Sequence, residues 1–279
     1  MTATVRPLTQ AEAGGALDWA AAEGWNPGHA DLDCFLAQDP ALFLGAFAGG
    51  EMLSVISATR YGDGFGFVGF YIARPEARGL GHGIAVWRAA MARLDGRLVG
   101  LDGVVAQQAN YRKSGFVLAW NNIRFGGVPV PPGAPATGIV PATPAYLPAI
   151  EALDREVFPA PRAAFLRAWL TAPGHVALVL LRGGAVAAFG VIRPCRMGHK
   201  IAPLVAAGAG DAEALVGALL ARVPPGPVFL DVPEPHRAAV ALAERLGLTP
   251  GFETARMYTG PAPALARDRI FGITTFELG

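Results

Sequence analysis

The sequence predicts an α/β protein of the α+β type, built from two tandem modules that each set a mixed, mostly antiparallel sheet against helices. Three observations carry that expectation. One order of strands and helices runs twice along the 279 residues. Each copy holds a Gly-Gly hairpin signal between apolar, β-branched runs. Each copy also has a short strand with Leu-Asp, a helix that stops at glycine, and an arginine nine residues beyond that glycine.

The elements follow in order. Val5-Arg6-Pro7-Leu8-Thr9 and Ile139-Val140-Pro141-Ala142-Thr143 open the copies, and helices are expected over Ala11–Glu23 and Ala145–Phe158. Hairpins follow: Leu42–Phe47, the turn Ala48-Gly49-Gly50-Glu51 and Met52–Ser57 in the first copy, then Val176–Leu181, Arg182-Gly183-Gly184-Ala185 and Val186–Ile192 in the second. Third strands span Phe67–Ile72 and Lys200–Val205, with helices over Ile84–Leu94 and Ala212–Val223. Short strands at Leu98–Asp102 and Val228–Val232 lead to helices stopped at Gly115 and Gly247, where glycine supplies the left-handed conformation of a helix end. Final strands carry Arg124 and Arg256. The Pro/Gly-rich run 126–135 reads as a stiff linker, which puts the domains at 1–130 and 137–279. The last apolar segment, Ile270–Leu278, alternates weakly and is expected as an edge strand.

Composition narrows the function classes. Hydrophobic residues make up 52% and charged residues 16%, enough apolar material for packed cores. A net charge of +1 without a Lys/Arg cluster argues against a nucleic-acid partner. No apolar run reaches the ~18 residues of a membrane helix, and no signal pattern opens the chain, so a cytoplasmic protein without a membrane partner is expected, as monomer or homodimer. Cys34 and Cys195 are expected as unpaired thiols, and the dispersed histidines show no metal-ligand spacing, so no metal is expected.

The chemistry is concentrated in Tyr71-Ile72-Ala73-Arg74-Pro75-Glu76-Ala77-Arg78-Gly79-Leu80-Gly81-His82-Gly83 and in Asn110-Tyr111-Arg112-Lys113-Ser114-Gly115-Phe116. A loop of alternating glycines entering a helix bares main-chain N–H groups at the positive end of the helix dipole, which makes an anion site suited to a pyrophosphate. Arg78 adds a charge-assisted donor. The absence of a lysine after the glycines, where Ile84-Ala85 stand, speaks against a P-loop nucleotide enzyme.

Over roughly residues 4–127 these motifs resemble the GNAT N-acetyltransferase superfamily, with Arg78-x-x-Gly81-x-Gly83 as its pyrophosphate signature and Tyr-x-x-x-Gly-Phe as its second match. The whole chain then resembles a tandem member whose C-terminal GNAT-like module is degenerate. The resemblance implies that Arg78, Gly79, Leu80, Gly81, His82, Gly83 and Ile84 bind acetyl-CoA, with His82 turned outward. It also implies that Phe70, Tyr71 and Ile72 bind the pantetheine arm along a strand that splays from its neighbour. Tyr111 matches the family's proton donor to the departing sulfur, and a phenol with a reference pKa of about 10 is protonated at neutral pH. The strand Gly66–Ile72 lacks the carboxylate that some relatives use as base, which leaves Tyr71 or a water chain as candidates. Trp25 and Asn26, in the segment 23–29, sit where relatives cover the acceptor; Asp31, Asp33 and Asp102 are further polar candidates.

The second copy lacks the cofactor features. Opposite the glycine loop it has only Ala207-Gly208-Ala209-Gly210-Asp211, with Asp211 expected as an N-cap, and opposite Tyr111 it has Ala243. It keeps Lys200, Asp231 and Arg256, which are expected to help select the acceptor. The sequence therefore predicts transfer of an acetyl group from acetyl-CoA to a primary amine of a small molecule; the alternative is a non-catalytic acyl-CoA or metabolite-binding sensor.

Overall fold

The computed structural model describes residues 3–133 and 137–279. The first half runs β1 (Thr4–Pro7), α1 (Gln10–Ala22), α2 (Asp31–Gln38), β2 (Phe43–Ala48), β3 (Glu51–Tyr61), β4 (Phe65–Ala73), α3 (His82–Arg93), β5 (Leu98–Val104), α4 (Gln108–Lys113) and β6 (Val117–Gly127). The second half repeats it with β7 (Ile139–Pro141), α5 (Leu147–Val157), α6 (Ala163–Thr171), β8 (Val176–Arg182), β9 (Ala185–Pro194), β10 (His199–Ala206), α7 (Ala209–Leu220), β11 (Val228–Pro233), α8 (Arg237–Arg245) and β12 (Thr249–Tyr258). The chain then adds β13 (Ile270–Gly272).

Local chemistry accounts for several boundaries. Helix α1 starts at a capping box: the Thr9 hydroxyl accepts from the Glu12 amide, and the Glu12 carboxylate accepts from the Thr9 amide. Both hairpins turn on a glycine pair with positive φ, 60° and 85° at Gly49-Gly50 and 57° and 82° at Gly183-Gly184, the conformation that matches the twist of the flanking strands. Short helices α2 and α6, for which no helical pattern is read in the sequence, pack on each other across the halves through Phe35, Phe165 and Trp169.

The sheet is continuous, in the order β1-β2-β3-β4-β5-β12-β6-β11-β10-β9-β8-β7. Its centre shows an exchange. Strand β12 of the second half pairs with β5 and β6, and β6 of the first half pairs with β12 and β11. The final strand of each half therefore has only strands of the other half as neighbours. Helices α1, α2, α5 and α6 cover one face, and α3, α4, α7 and α8 the other.

The exchange explains the repeated Leu-Asp and arginine landmarks. Asp102 on β5 faces Arg256 on β12, and Arg256 Nε and Nη2 donate to its two oxygens at 2.7 and 2.6 Å. Arg124 on β6 faces Asp231 on β11 with two bonds of 2.7 Å. Each half thus lends its arginine to the other half's aspartate, and all four side chains are buried. Such pairs cost desolvation but fix register, because a slipped strand would leave a charge buried alone.

Three expectations need correction. Asp211 is not an N-cap; α7 begins at Ala209 behind Gly208, and Asp211 sits in its first turn, where it accepts from Arg182 at 2.7 Å. Of the expected linker, Gly126 and Gly127 belong to β6, Val130 donates to the Leu246 carbonyl, and Ala134 and Pro135 lie outside the described residues. The C-terminal segment is no edge strand. Strand β13 pairs antiparallel with β10 and packs on β11, inside the sheet rather than at its rim.

Candidate active site

Strands β4 and β5 run parallel from Phe65/Leu98 to Val68/Leu101 and then part. The parting coincides with a bulge in β4: Ser57 pairs with Gly69 and Val55 with Ile72, so Phe70 and Tyr71 together oppose Ile56. Phe70 has φ +47°, a conformation uncommon for a non-glycine residue. Its buried ring is held by Phe35, Phe43 and Trp25. The bulge turns the end of β4 away from β5, and the cleft so opened is a cavity of about 710 Å³, in the size range of small-molecule sites.

The glycine loop closes one end. Gly79 and Gly81 have φ of +79° and +89°, and Gly81 precedes the first turn of α3. Gly79, Gly81, Gly83 and Ile84 line the cavity. Among the described residues the amides of Gly79, Gly81 and Gly83 donate to no main-chain carbonyl, so this end offers donors to an anion. A Cβ at Gly83 would meet the Tyr71 hydroxyl at 3.0 Å, so glycine here admits that phenol beneath the helix. Arg78 is half-exposed at the rim, where it donates to Glu23 at 2.6 Å and to the Ala73 carbonyl at 3.1 Å. Leu80 points to solvent at 68% exposure and His82 does not line the cavity; its carbonyl accepts from the Ser54 hydroxyl.

Tyr111, on α4, lines the same cavity with its ring against Trp87 and against β5, where a Cβ at Gly103 would collide with the ring. Burial, with a smaller contribution from Tyr71, pushes its hydroxyl up to about 12. Burial also raises the Tyr71 phenol. Both are therefore proton donors at neutral pH.

The structure separates the expected acceptor residues. Trp25 lines the cavity, and its carbonyl accepts from Arg124 at 2.8 Å. Asn26 does not; its side chain bonds the main chain of Met197 in both directions, at 3.0 and 2.8 Å, and ties the halves together. Asp102 lines the cavity, but its carboxylate is taken up by Arg256 and by Asn122 at 2.8 Å. Asp31 is buried in a two-bond pair with Arg193 of the second half. Lys200, Asp231 and Arg256 are buried in the charge network between the halves and do not line the cavity. Burial lowers the Lys200 ammonium. Burial works against the Arg256 charge as well, but Asp102 overrides it and holds the guanidinium above its usual value.

Second-half residues do reach the cavity, though not those three: Phe252 and Thr254 of β12, and Phe276 and Glu277 of the C-terminal segment. The strand exchange carries the first pair there. The tail that follows β13 carries the second. No spacing in the sequence signals either; the available clue was an acidic residue within a terminal apolar run.

A bulged strand parting from its parallel neighbour, a glycine loop feeding a helix and a buried tyrosine across the cleft define an acyl-CoA-dependent N-acyltransferase fold. Comparisons agree. A model described as "Acetyltransferase (GNAT) family" matches residues 12–116, and one described as "Acetyltransferase (GNAT) domain" matches residues 150–272. The chain belongs to the GNAT acetyltransferase family, carries two GNAT domains and is an acyltransferase. Likeness in the second half thus extends to sequence, beyond the architecture alone. The holothin acyltransferase of Pseudoalteromonas sp. (strain SANK 73390) is 30% identical over 94% of this chain and 90% of its own. A putative acetyltransferase from Pyrococcus horikoshii shares the fold over 100% of this chain and 96% of its own, with a TM-score of 0.85 at 19% identity. A GCN5-related N-acetyltransferase from Sphaerobacter thermophilus covers 94% and 98%, with a TM-score of 0.63 at 16% identity.

Proposed function

We propose that the first half binds acetyl-CoA and transfers its acetyl group to a primary amine of a small molecule. The observation that carries this reading is one cavity that joins unbonded glycine-loop amides at one end to the buried Tyr111 phenol across the cleft. The pyrophosphate sits on Gly79, Gly81, Gly83 and the start of α3, with Leu80 and His82 contributing main chain only. The pantetheine arm follows the freed edge of β4 at Phe70, Tyr71 and Ile72. Tyr111 gives its proton to the departing thiolate, and Trp25 walls the acceptor side. Arg78 must exchange its Glu23 partner for the pyrophosphate. That exchange is cheap, because exposed pairs contribute little.

The 30% identical relative acts on holothin, which makes holothin a rational first acceptor and leaves room for acyl groups other than acetyl. The two repeats remain assigned to 1–130 and 137–279 as sequence units. We assign the protein to the cytoplasm as a monomer or homodimer; no described helix is long and apolar enough to cross a membrane. The test is thiol release from acetyl-CoA with a panel of small amines that includes holothin, with products identified by mass. An amine-dependent burst of thiol with a mass gain of one acetyl group is expected. Acetyl-CoA binding without transfer to any amine would overturn the reading.

A further inference from the structure

Glu277 is the feature of the cavity that the family motif does not account for. Among the described residues three carboxylates line the cavity, and two are occupied. Glu23 lies at the rim in its pair with Arg78, and Asp102 accepts from Arg256 and Asn122. Glu277 is 5% exposed, and among the described residues its carboxylate has no hydrogen-bond or ion-pair partner. Neither of its oxygens is sealed from solvent and unbonded, since such atoms occur elsewhere in the chain but not on Glu277. Its acceptor capacity is therefore left free at a residue that lines the cavity.

The backbone around it is built for that position. The tail is pinned before Glu277 by Ile273 N–H to the Asp231 carbonyl at 2.9 Å and by Arg162 to the Thr274 hydroxyl at 2.8 Å. It is pinned after Glu277 by the Tyr61 hydroxyl to the Leu278 carbonyl at 2.9 Å and by Arg162 to the Gly279 carbonyl at 3.2 Å. Between these anchors the Glu277 main chain lies on Gly69, where a Cβ would come within 2.8 Å of the Glu277 Cα. Gly69 immediately precedes the bulge at Phe70. The strand that lacks a carboxylate of its own is therefore the strand against which the tail sets one.

We propose that Glu277, carried into the first half's cleft by the C-terminal tail of the second, is the general base that deprotonates the acceptor amine. This rests on the acyl-transfer reading above. The proton account closes as follows. The acceptor enters as an ammonium and gives one proton to the Glu277 carboxylate. The freed nitrogen lone pair attacks the thioester carbonyl carbon and forms the C–N bond. The C–S bond breaks with its electron pair on sulfur, and sulfur takes the Tyr111 proton. The second nitrogen proton restores the Tyr111 phenol through water, and Glu277 releases its proton to solvent. The products are the amide, free coenzyme A thiol and one proton.

The surroundings suit the role. Burial holds the Glu277 carboxyl above the usual carboxylate range, Lys200 on β10 and Arg124 on β6 pull it back, and Asp31 on α2 and Asp231 on β11 push it up; Arg193 on β9 also faces it. A base tuned upward takes an ammonium proton more readily than an ordinary carboxylate. Phe276 beside it stacks on Arg124 at 4.7 Å and packs against Phe252, which walls this end with aromatic rings.

The test is Glu277→Gln in the full chain, assayed with an amine that the wild type acetylates. Expected is a fall in kcat of roughly 100-fold or more at neutral pH, with acetyl-CoA affinity by calorimetry and the melting temperature near wild type. The limb set by Glu277 should give way to one that follows the ionisation of the amine itself, so that part of the loss is recovered at high pH where the amine is already neutral, and Glu277→Asp should be intermediate. A Gln variant with wild-type kcat and an unchanged pH profile overturns the proposal, as does a raised acceptor KM with kcat intact, which would make Glu277 an anchor. A wild type that acetylates no amine sinks the acyl-transfer reading and this base with it, whereas transfer that survives in the Gln variant sinks the base alone.

Discussion

The two halves share a fold and differ in what fills the gap between their parallel strands. In the first, β4 and β5 part after Val68/Leu101, and the gap is a cavity with a glycine loop at its end. In the second, β10 and β11 pair over His199–Ile201 with Val228–Leu230, and beyond that the tail enters as β13 against β10. The same tail then leaves the second cleft and reaches the first with Phe276 and Glu277. One segment thus fills the second cleft and lines the first. In the second half β13 pairs with the main chain of β10 and packs Ile270 and Phe271 into the cores, so the gap holds neither bare main chain nor exposed apolar side chains.

That contrast can be broken at several points, from the largest effect down. Gly81→Glu puts a charged side chain on a left-handed position where the donor's pyrophosphate would lie, so calorimetry should show acetyl-CoA affinity falling beyond detection; Gly208→Glu in the counterpart loop, where a Cβ meets open space, should leave it unchanged. Tyr111→Phe should lower kcat by roughly 100-fold or more with donor affinity retained. Since burial pushes its hydroxyl up to about 12, the wild type should show no loss of rate from Tyr111 ionisation between pH 7 and 10.

A third comparison concerns stability. Asp231→Ala or Asp102→Ala strands a buried arginine and should destabilise the fold by about 3–5 kcal/mol, read as a lower denaturation midpoint. Because these pairs clamp the exchanged strands, their loss should not raise acceptor KM selectively. The smallest effect is expected at Arg196, whose pair with Asp18 also bridges the halves but is half-exposed: Arg196→Ala should cost less than about 1 kcal/mol. For the same reason a fragment ending near residue 130 should not fold on its own, since β6 would lose both neighbouring strands.

Much of this architecture is legible in the sequence because it is local. Gly49-Gly50 and Gly183-Gly184 specify their turns, Arg78 to Gly83 specify loop and helix start, and Tyr111 lies four residues before a helix-stopping glycine. The repeat itself was visible in Asp102, Arg124, Asp231 and Arg256, but its meaning was not. Pattern alone cannot say that each aspartate pairs with the arginine of the other copy, because sequence order favours neighbours within a copy. For the same reason Lys200, Asp231 and Arg256 read as acceptor contacts, polar groups on strands near a cleft, when they are neutralised in the interface. Glu277 is not legible in the sequence because its position is set by a tail that crosses from one half to the other.

The central claim is that one cleft works and its twin is closed by the chain's own tail. Calorimetric titration of the intact protein with acetyl-CoA tests it most directly. The account predicts a stoichiometry of one donor per chain, abolished by Gly81→Glu and preserved by Gly208→Glu. Two equivalents per chain, or one that survives Gly81→Glu, would contradict it.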